Sequence, residues 1–253
     1  MKKFGILLAI ALLSVLSVLS VSSVFDQSGQ WGTLKASTAY AQEAPLSPRV
    51  FNPQEAAQLE QASRDAWQKP GQVVAALKLE PGDVVADIGT GSGYFVTYLS
   101  RASGSSGKVY AVDIQPEMLA FVQRKLEELD LTNVIPVLSL EADTRLDRGS
   151  VDLALMVDVY HELGSPRALL SNIHTVLRPD GRLAIIDFKS DKEADKVGPP
   201  LSHRVPQTRL ISEVERAGFQ LTDTIELLPY QYFLIFSKRE RPAATSTPGS
   251  LSQ

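Results

Sequence analysis

The chain contains no cysteine, which excludes disulfides, thiolate metal sites, a thiol nucleophile and lipid attachment through an acylated cysteine. This absence agrees with an oxidising compartment without requiring one. Histidine is scarce too: His161, His174 and His203 are the only candidates for an imidazole base. No run of lysine or arginine is long enough to track a phosphate backbone and the formal net charge is −4, so a nucleic-acid or other large polyanionic partner is not expected. Internal repeats are absent as well. What is present is 44% hydrophobic and 21% charged residues over 253 positions, a balance that suits one domain with a full-sized core.

The two ends differ from the middle. Lys2 and Lys3 precede an apolar run over 4–21, and Ala39-Tyr40-Ala41 supplies the small-x-small pattern of a signal-peptidase site. Residues 1–41 therefore read as a secretory signal cleaved after Ala41. The polar stretch over 26–38 makes that signal long, and an uncleaved membrane anchor through 4–21, with the domain on the outer side, is the alternative. Both readings export the domain to the periplasm or its equivalent. Residues 42–66 read as a linker and N-terminal helix, 67–238 as the folded domain, and 239–253, rich in Ser, Thr and Pro, as a disordered tail.

The most informative segment is Val84-Val-Ala-Asp-Ile-Gly-Thr-Gly-Ser-Gly-Tyr-Phe95. It reads as a buried strand that breaks into alternating glycines before a helix. Gly89, Gly91 and Gly93 would let backbone approach a ligand closely. A dinucleotide site places its first glycine directly after an apolar strand, because the helix N-terminus behind must meet a pyrophosphate. Here Asp87 stands two residues before Gly89. Its carboxylate would repel that phosphate and favour an ammonium or sulfonium, and S-adenosylmethionine (SAM) carries both. Asp113 ends the next strand, over 108–113, where an acid can accept both ribose hydroxyls of an adenosine; a helix-capping role ahead of Pro116 is the alternative. Asp113 supports an adenosine ligand, and Asp87 favours SAM over NAD.

From Asp83 onward strands and helices alternate, which predicts an α/β fold: a doubly wound, mostly parallel, seven-stranded Rossmann-like sheet. Strands are expected over 84–88, 109–113, 134–140, 151–157, 183–188, 219–228 and 231–237. The last two are joined too tightly for a parallel crossover, so the final strand must be antiparallel. Ahead of the first strand, 53–79 reads as two helices broken at Lys69-Pro-Gly71. Trp67 there either lies against the ligand pocket or packs the helix onto the sheet.

Pro81-Gly-Asp-Val-Val-Ala-Asp87, the D-x-G-x-G-x-G loop, Leu177-Arg-Pro-Asp-Gly-Arg-Leu183 and Arg216-Ala-Gly-Phe219 together resemble the class I SAM-dependent methyltransferases, in particular the bacterial ubiquinone/menaquinone-methyltransferase-like group. The resemblance covers about 67–238. It implies that Asp87, Gly89, Thr90, Gly91 and Gly93 form the methionine-side loop and that Asp113 is the ribose acid. It further implies that Ile114 and Met118 pack the adenine and that Asp143 receives the adenine amino group, with Glu141 close enough to take that role. Asp158, after strand four, joins the same cofactor set. Helices in front of the first strand commonly close over the cofactor in such enzymes.

Methyl transfer from a sulfonium needs a nucleophile held in line and water kept out, and a base only where the acceptor must lose a proton. His161 and Glu162 follow strand four at its carboxyl end, where open α/β sheets bind ligands, and His203 lies with Arg204 in the loop after strand five. These three are the candidate catalytic residues, against capping or packing roles for the histidines; His174 reads as structural. Tyr160, Tyr230 and Tyr232 are candidates for an aromatic acceptor pocket. Asp158 and Asp187 invite comparison with metal-dependent catechol enzymes, but Phe188-Lys189 replaces the expected second acid-amide pair, so no metal is expected. The aromatic-proline motif of amide and adenine N-methylation is absent after strand four, and arsenic methylation by the usual route needs cysteines. A small-molecule acceptor methylated at O or C is the expectation. The alternatives are an exported nucleoside-binding protein that keeps the fold without catalysis, and an NAD-linked oxidoreductase. Mass spectrometry of the protein taken from its native compartment is expected to find Gln42 as the first residue; a mass that begins at Met1 would establish the anchor.

Overall fold

A computed structural model of the protein describes residues 51–191 and 197–239. The expected signal or anchor over 1–41, the first part of the expected linker over 42–50, and all of the expected tail over 239–253 except Arg239 lie outside them. Among the described residues no helix is long and apolar enough to cross a membrane.

The strands are β1 (Val84–Ile88), β2 (Lys108–Asp113), β3 (Val134–Leu138), β4 (Val151–Val157), β5 (Leu177–Phe188), β6 (Phe219–Thr224) and β7 (Gln231–Lys238). They form one sheet in the order β3-β2-β1-β4-β5-β7-β6. Pairing is parallel from β3 through β5, and β7 runs antiparallel to both β5 and β6. The expected seven-stranded, mostly parallel sheet is thus observed.

Strand periodicity sorts the core into two layers, because successive side chains leave opposite faces. Val85, Val109, Leu153, Leu155 and Ile186 share one cluster with Leu99 of α3 (Val96–Ser103) and Val122 of α4 (Pro116–Leu129). Ala86, Val112, Ala154, Met156 and Ile185 share the other with Leu170 and Ile173 of α5 (Pro166–Val176) and Val214 of α6 (Gln207–Arg216). A strand buried on both faces has no polar alternation, which is why β4 reads as a nearly continuous apolar run. The chain travels outward from β1 through β3, then returns to the far side of β1 at β4. That reversal leaves a crevice at the carboxyl ends of β1 and β4, where no crossover helix covers the sheet.

Several boundaries differ from the expected ones. Residues 53–79 fold as a 3-10 helix (Pro53–Glu60), α1 (Ala62–Gln68) and α2 (Pro70–Ala76), three pieces instead of two. Lys69 separates α1 from α2 in the left-handed region at φ 48°, and Pro70 starts the next helix because its locked φ suits a first turn. β3 stops at Leu138, and Leu140 instead bridges to Asp143. β5 begins at Leu177, ahead of the expected start at 183, and its early part is irregular opposite Val151–Leu153. β6 ends at Thr224 and carries its own register shift after Leu221, so the connection to β7 is longer than the two residues expected. It remains a hairpin, and the antiparallel direction stands.

Two glycines separate packing from simple tolerance. A Cβ on Gly107, at the entry to β2, would stand 2.4 Å from the Ser103 carbonyl and 2.7 Å from the Asp83 carbonyl, whereas Gly71 in α2 has nothing within 4 Å. Backbone cannot yield as a side chain can. Urea unfolding is expected to show Gly107→Ala destabilised by about 2–4 kcal/mol and Gly71→Ala unchanged or stabilised by up to about 1 kcal/mol.

Candidate active site

The crevice is a cleft with about 1130 Å³ of empty space, part of it open to solvent. Among the described residues its lining carries five acids, Asp87, Asp113, Glu141, Asp158 and Glu162, against one cation, Arg64.

Asp87 sits one residue before the end of β1 and is 3% exposed, yet it lines the cleft. Thr90 Oγ1 donates to its Oδ2 at 2.7 Å. Burial pushes its carboxyl up to about 6, and the Thr90 bond offsets only part of that. The loop beyond it needs glycine for a reason the spacing did not reveal. Gly89 has φ +72°, and a Cβ there would stand 2.4 Å from Val159, so close packing of the β1 and β4 termini excludes a side chain.

Asp113 ties this loop to the neighbouring strand. Its Oδ2 accepts from the Gly91 N–H and its Oδ1 from the Gln115 N–H, both at 2.9 Å. The latter bond shapes the turn into α4, though Gln115 and not Asp113 is the residue at the cap. Burial raises the Asp113 carboxyl, and these backbone donors counter it. Each carboxylate oxygen keeps acceptor capacity toward the cleft.

The 3-10 helix and α1 form a strap across the cleft. Glu60 Oε1 accepts from Ser92 Oγ at 2.6 Å and from Lys125 Nζ at 2.7 Å, and Gln115 Nε2 donates to the Phe51 carbonyl at 3.0 Å. Leu59 lies over Gly91. Arg64 is placed by Leu59 O at 2.9 Å, Gln68 Oε1 at 3.1 Å and the face of Tyr94 at 4.1 Å from its ring centre. Its Nη2 pairs with Asp158 Oδ2 at 3.3 Å. The Tyr94 hydroxyl donates to Asp65, and burial followed by that bond pushes its pKa up.

Asp158 follows β4 in the left-handed region, φ +60°, a strained setting for a non-glycine residue. Gln231 donates to it, and Gln231 in turn accepts from Gln68 at 2.7 Å. Burial raises the Asp158 carboxyl to about 7, with Arg64 opposing. Beneath it, Asp187 is fully buried and accepts from the backbone N–H of His161 at 3.0 Å and of Phe188 at 2.7 Å. His161 Nδ1 lies 2.7 Å from Asp187 and Nε2 lies 3.0 Å from Glu162. Burial alone would lower the His161 pKa, but the bonds to Asp187 and Glu162 outweigh it and raise it to about 10.

The structure therefore brings Asp87, Gly89, Thr90, Gly91, Asp113, Ile114, Met118, Asp158 and Glu162 to one cleft. Gly93 is not on its wall; it faces Val122 at the start of α3 and gives its carbonyl to Lys125. Asp143 is also off the wall. It accepts from Arg145 N–H and Asn172 Nδ2 to close its own turn, while Glu141 reaches the cleft. His161 and His203 do not line the cleft either. His161 is turned inward by Asp187, and His203 belongs to a loop pinned by buried Arg204, which donates to the carbonyls of Lys189, Val197 and Pro199. Trp67 packs on Phe188 and Tyr230 and not into the cleft, because α1 turns that face toward the β7 side. Tyr160 and Tyr232 are buried, with hydroxyls on Glu213 and the Val205 carbonyl. Among the described residues no group of three His, Asp or Glu side chains is placed to hold a metal ion. Arg64 is the residue that sequence reasoning missed; it belongs to no motif, and its one signal was a cation on the helix preceding a carboxylate-rich site.

The fold and cleft define a doubly wound α/β domain with an acid-lined crevice at the carboxyl ends of its strands. Comparison with known proteins narrows this. Residues 86–185 match a methyltransferase domain family. A SAM-dependent methyltransferase from Aquifex aeolicus superposes with a TM-score of 0.71 and 32% identity, covering 74% of this chain and 98% of that one. The ubiquinone/menaquinone biosynthesis C-methyltransferase of Blochmanniella pennsylvanica is 30% identical over 42% of this chain. The catalytic subunit of the tRNA (adenine(58)-N(1))-methyltransferase of Yarrowia lipolytica is 31% identical over 42% of this chain. The alignments span 42% and 27% of those two curated relatives' own lengths. This chain belongs to the class I SAM-dependent methyltransferases.

A carboxylate whose pKa is raised by folding costs stability at neutral pH. The folded state binds more protons than the unfolded between about pH 4 and 6, so stability falls as pH rises through that window. Asp87→Asn removes the charge and keeps an acceptor for Thr90. Urea unfolding at pH 7 is expected to show the variant about 1–3 kcal/mol more stable than the parent, with the difference vanishing near pH 4.

Proposed function

We propose that this protein transfers a methyl group from SAM to a small-molecule acceptor, at oxygen or carbon in preference to nitrogen, and that it does so outside the cytosol. The observation that carries the reading is the presence in one cleft of Asp87, a desolvated carboxylate, and Arg64, the single lining cation among the described residues. SAM is a zwitterion at its methionine end, and this arrangement offers one partner of each sign. Asp87 would hold the ammonium. Arg64 would hold the carboxylate with the two of its five N–H groups that Leu59, Gln68 and Asp158 leave over. Asp113 would accept the ribose hydroxyls, Ile114 and Met118 would pack the adenine, and Glu141, in place of Asp143, would face its amino group.

Bound SAM supplies the activated methyl group. The protein's part is to align the acceptor, exclude water beneath the strap and accept a proton where one is lost. Asp158 suits that last role, because a carboxyl held near 7 at the cleft wall can take a proton from a hydroxyl at neutral pH. Relatives in this family include enzymes named for C-methylation, for tRNA methylation and for protein L-isoaspartate O-methylation. The small-molecule reading rests on the absence of basic runs and on the strap narrowing the entrance. The outward location rests on the 4–21 run and the Ala39-Tyr40-Ala41 site.

Calorimetric titration is expected to show SAM binding, with Asp87→Ala and Arg64→Ala each weakening it at least tenfold, about 1.4 kcal/mol or more. NADH is expected not to bind. SAM affinity should fall as pH drops through about 6, because Asp87 must be ionised to attract the ammonium. Equal SAM affinity in wild type and Asp87→Ala would refute the assignment.

A further inference from the structure

Glu162 and His161 are neighbours in the short 3-10 helix Tyr160–Glu162, but only Glu162 reaches the cleft. Both ring nitrogens of His161 face carboxylates, Asp187 at 2.7 Å and Glu162 at 3.0 Å. A neutral imidazole has one N–H and one lone pair, so either tautomer would aim a lone pair at an anion. The geometry requires an imidazolium, and a ring only 4% exposed cannot trade either partner for water. Asp187 holds His161 through two contacts, one to the ring and one from its backbone N–H, and is itself fixed by the Phe188 N–H. The result is a rigid line from core to cleft in which Asp187 holds His161 and His161 aims Glu162.

Glu162 is 31% exposed, and among the described residues its carboxylate has no other partner than His161. Its Oε1 is taken up by the imidazolium, and the second oxygen of the same carboxylate is left for a donor that a ligand brings into the cleft. The remaining charges agree. With Asp87, Asp113 and Arg64 assigned to SAM, the acceptor side of the cleft keeps Asp158 and Glu162 and, among the described residues, has no lysine or histidine on its wall. An anionic acceptor would meet repulsion there and no compensating cation.

We infer that Glu162, positioned by His161 and Asp187, is the group that recognises the methyl acceptor, and that this acceptor carries a protonated amine or similar cationic group in addition to the atom that is methylated. The inference rests on the methyltransferase reading, and its test separates the two. The full chain is first titrated with S-adenosylhomocysteine; failure to bind would overturn the cofactor assignment itself. The loaded protein is then titrated with three phenols of similar size: tyramine, which is cationic, 4-ethylphenol, which is neutral, and 4-hydroxyphenylacetate, which is anionic. Tyramine is expected to bind at least about tenfold more tightly than the anion, with the neutral phenol between them. Glu162→Gln is expected to abolish that order while S-adenosylhomocysteine affinity and melting temperature stay unchanged, and Glu162→Asp to restore part of it. Equal or absent binding of the three phenols, or a charge preference that survives Glu162→Gln, would overturn the inference.

Discussion

Buried carboxylates at the ends of four adjacent strands are the constraint on which the rest of the site depends. Asp87, Asp113, Asp158 and Asp187 stand at or just beyond the carboxyl ends of β1, β2, β4 and β5. Burial raises the first three, so each needs a specific donor to be tolerated. Thr90 serves Asp87, backbone N–H groups serve Asp113, Arg64 and Gln231 serve Asp158, and His161 with two N–H groups serves Asp187. A protein selected for stability alone would fill these positions with apolar or neutral side chains. Three of the four, Asp87, Asp113 and Asp158, line one cleft, and their need for donors accounts for the density of hydrogen bonds there.

The strap follows from the same constraint. Arg64 arrives from outside the sheet and neutralises Asp158, which no strand residue could do from its own position. Its contacts with Leu59, Gln68 and Tyr94 mean that the 3-10 helix and α1 cannot move without exposing that pair. Glu60 repeats the logic at the other edge, where Ser92 and Lys125 hold it against the glycine loop and α4. Covering the cleft and balancing its charge are thus performed by the same residues, and a ligand that brings its own charge to Arg64 and Asp87 would alter how firmly the strap is held.

Family membership and acceptor chemistry are decided at different places in this molecule. Relatives that this chain resembles carry names that indicate quite different acceptors, because one fold serves many reactions. In this chain the Asp158-to-Glu162 turn places an acid paired with Arg64 and an acid held by His161 close together on the cleft wall.

Strand and helix alternation, the parallel sheet with its antiparallel strand, and the carboxylate of Asp87 at the glycine turn were legible in the sequence, since each depends on periodicity or on neighbours a few residues away. The position of Asp113 at the end of β2 was legible as well; the structure shows its carboxylate bonded to the Gln115 N–H ahead of α4 and lining the cleft, with Gln115 and not Asp113 at the cap. The third strand's early stop and the irregular start of β5 were not, because pairing with a neighbouring strand decides them. Nor were the side chains whose roles depend on residues distant in the chain. Only the tertiary structure turned His161 inward to Asp187, left Glu162 at the wall, withdrew Asp143 into its own turn and brought Arg64 across to Asp158, 94 positions away. The physical reason is that local pattern specifies which residues share a face, whereas the partner of a buried charge is chosen by desolvation, which exists only once the chain has closed around it.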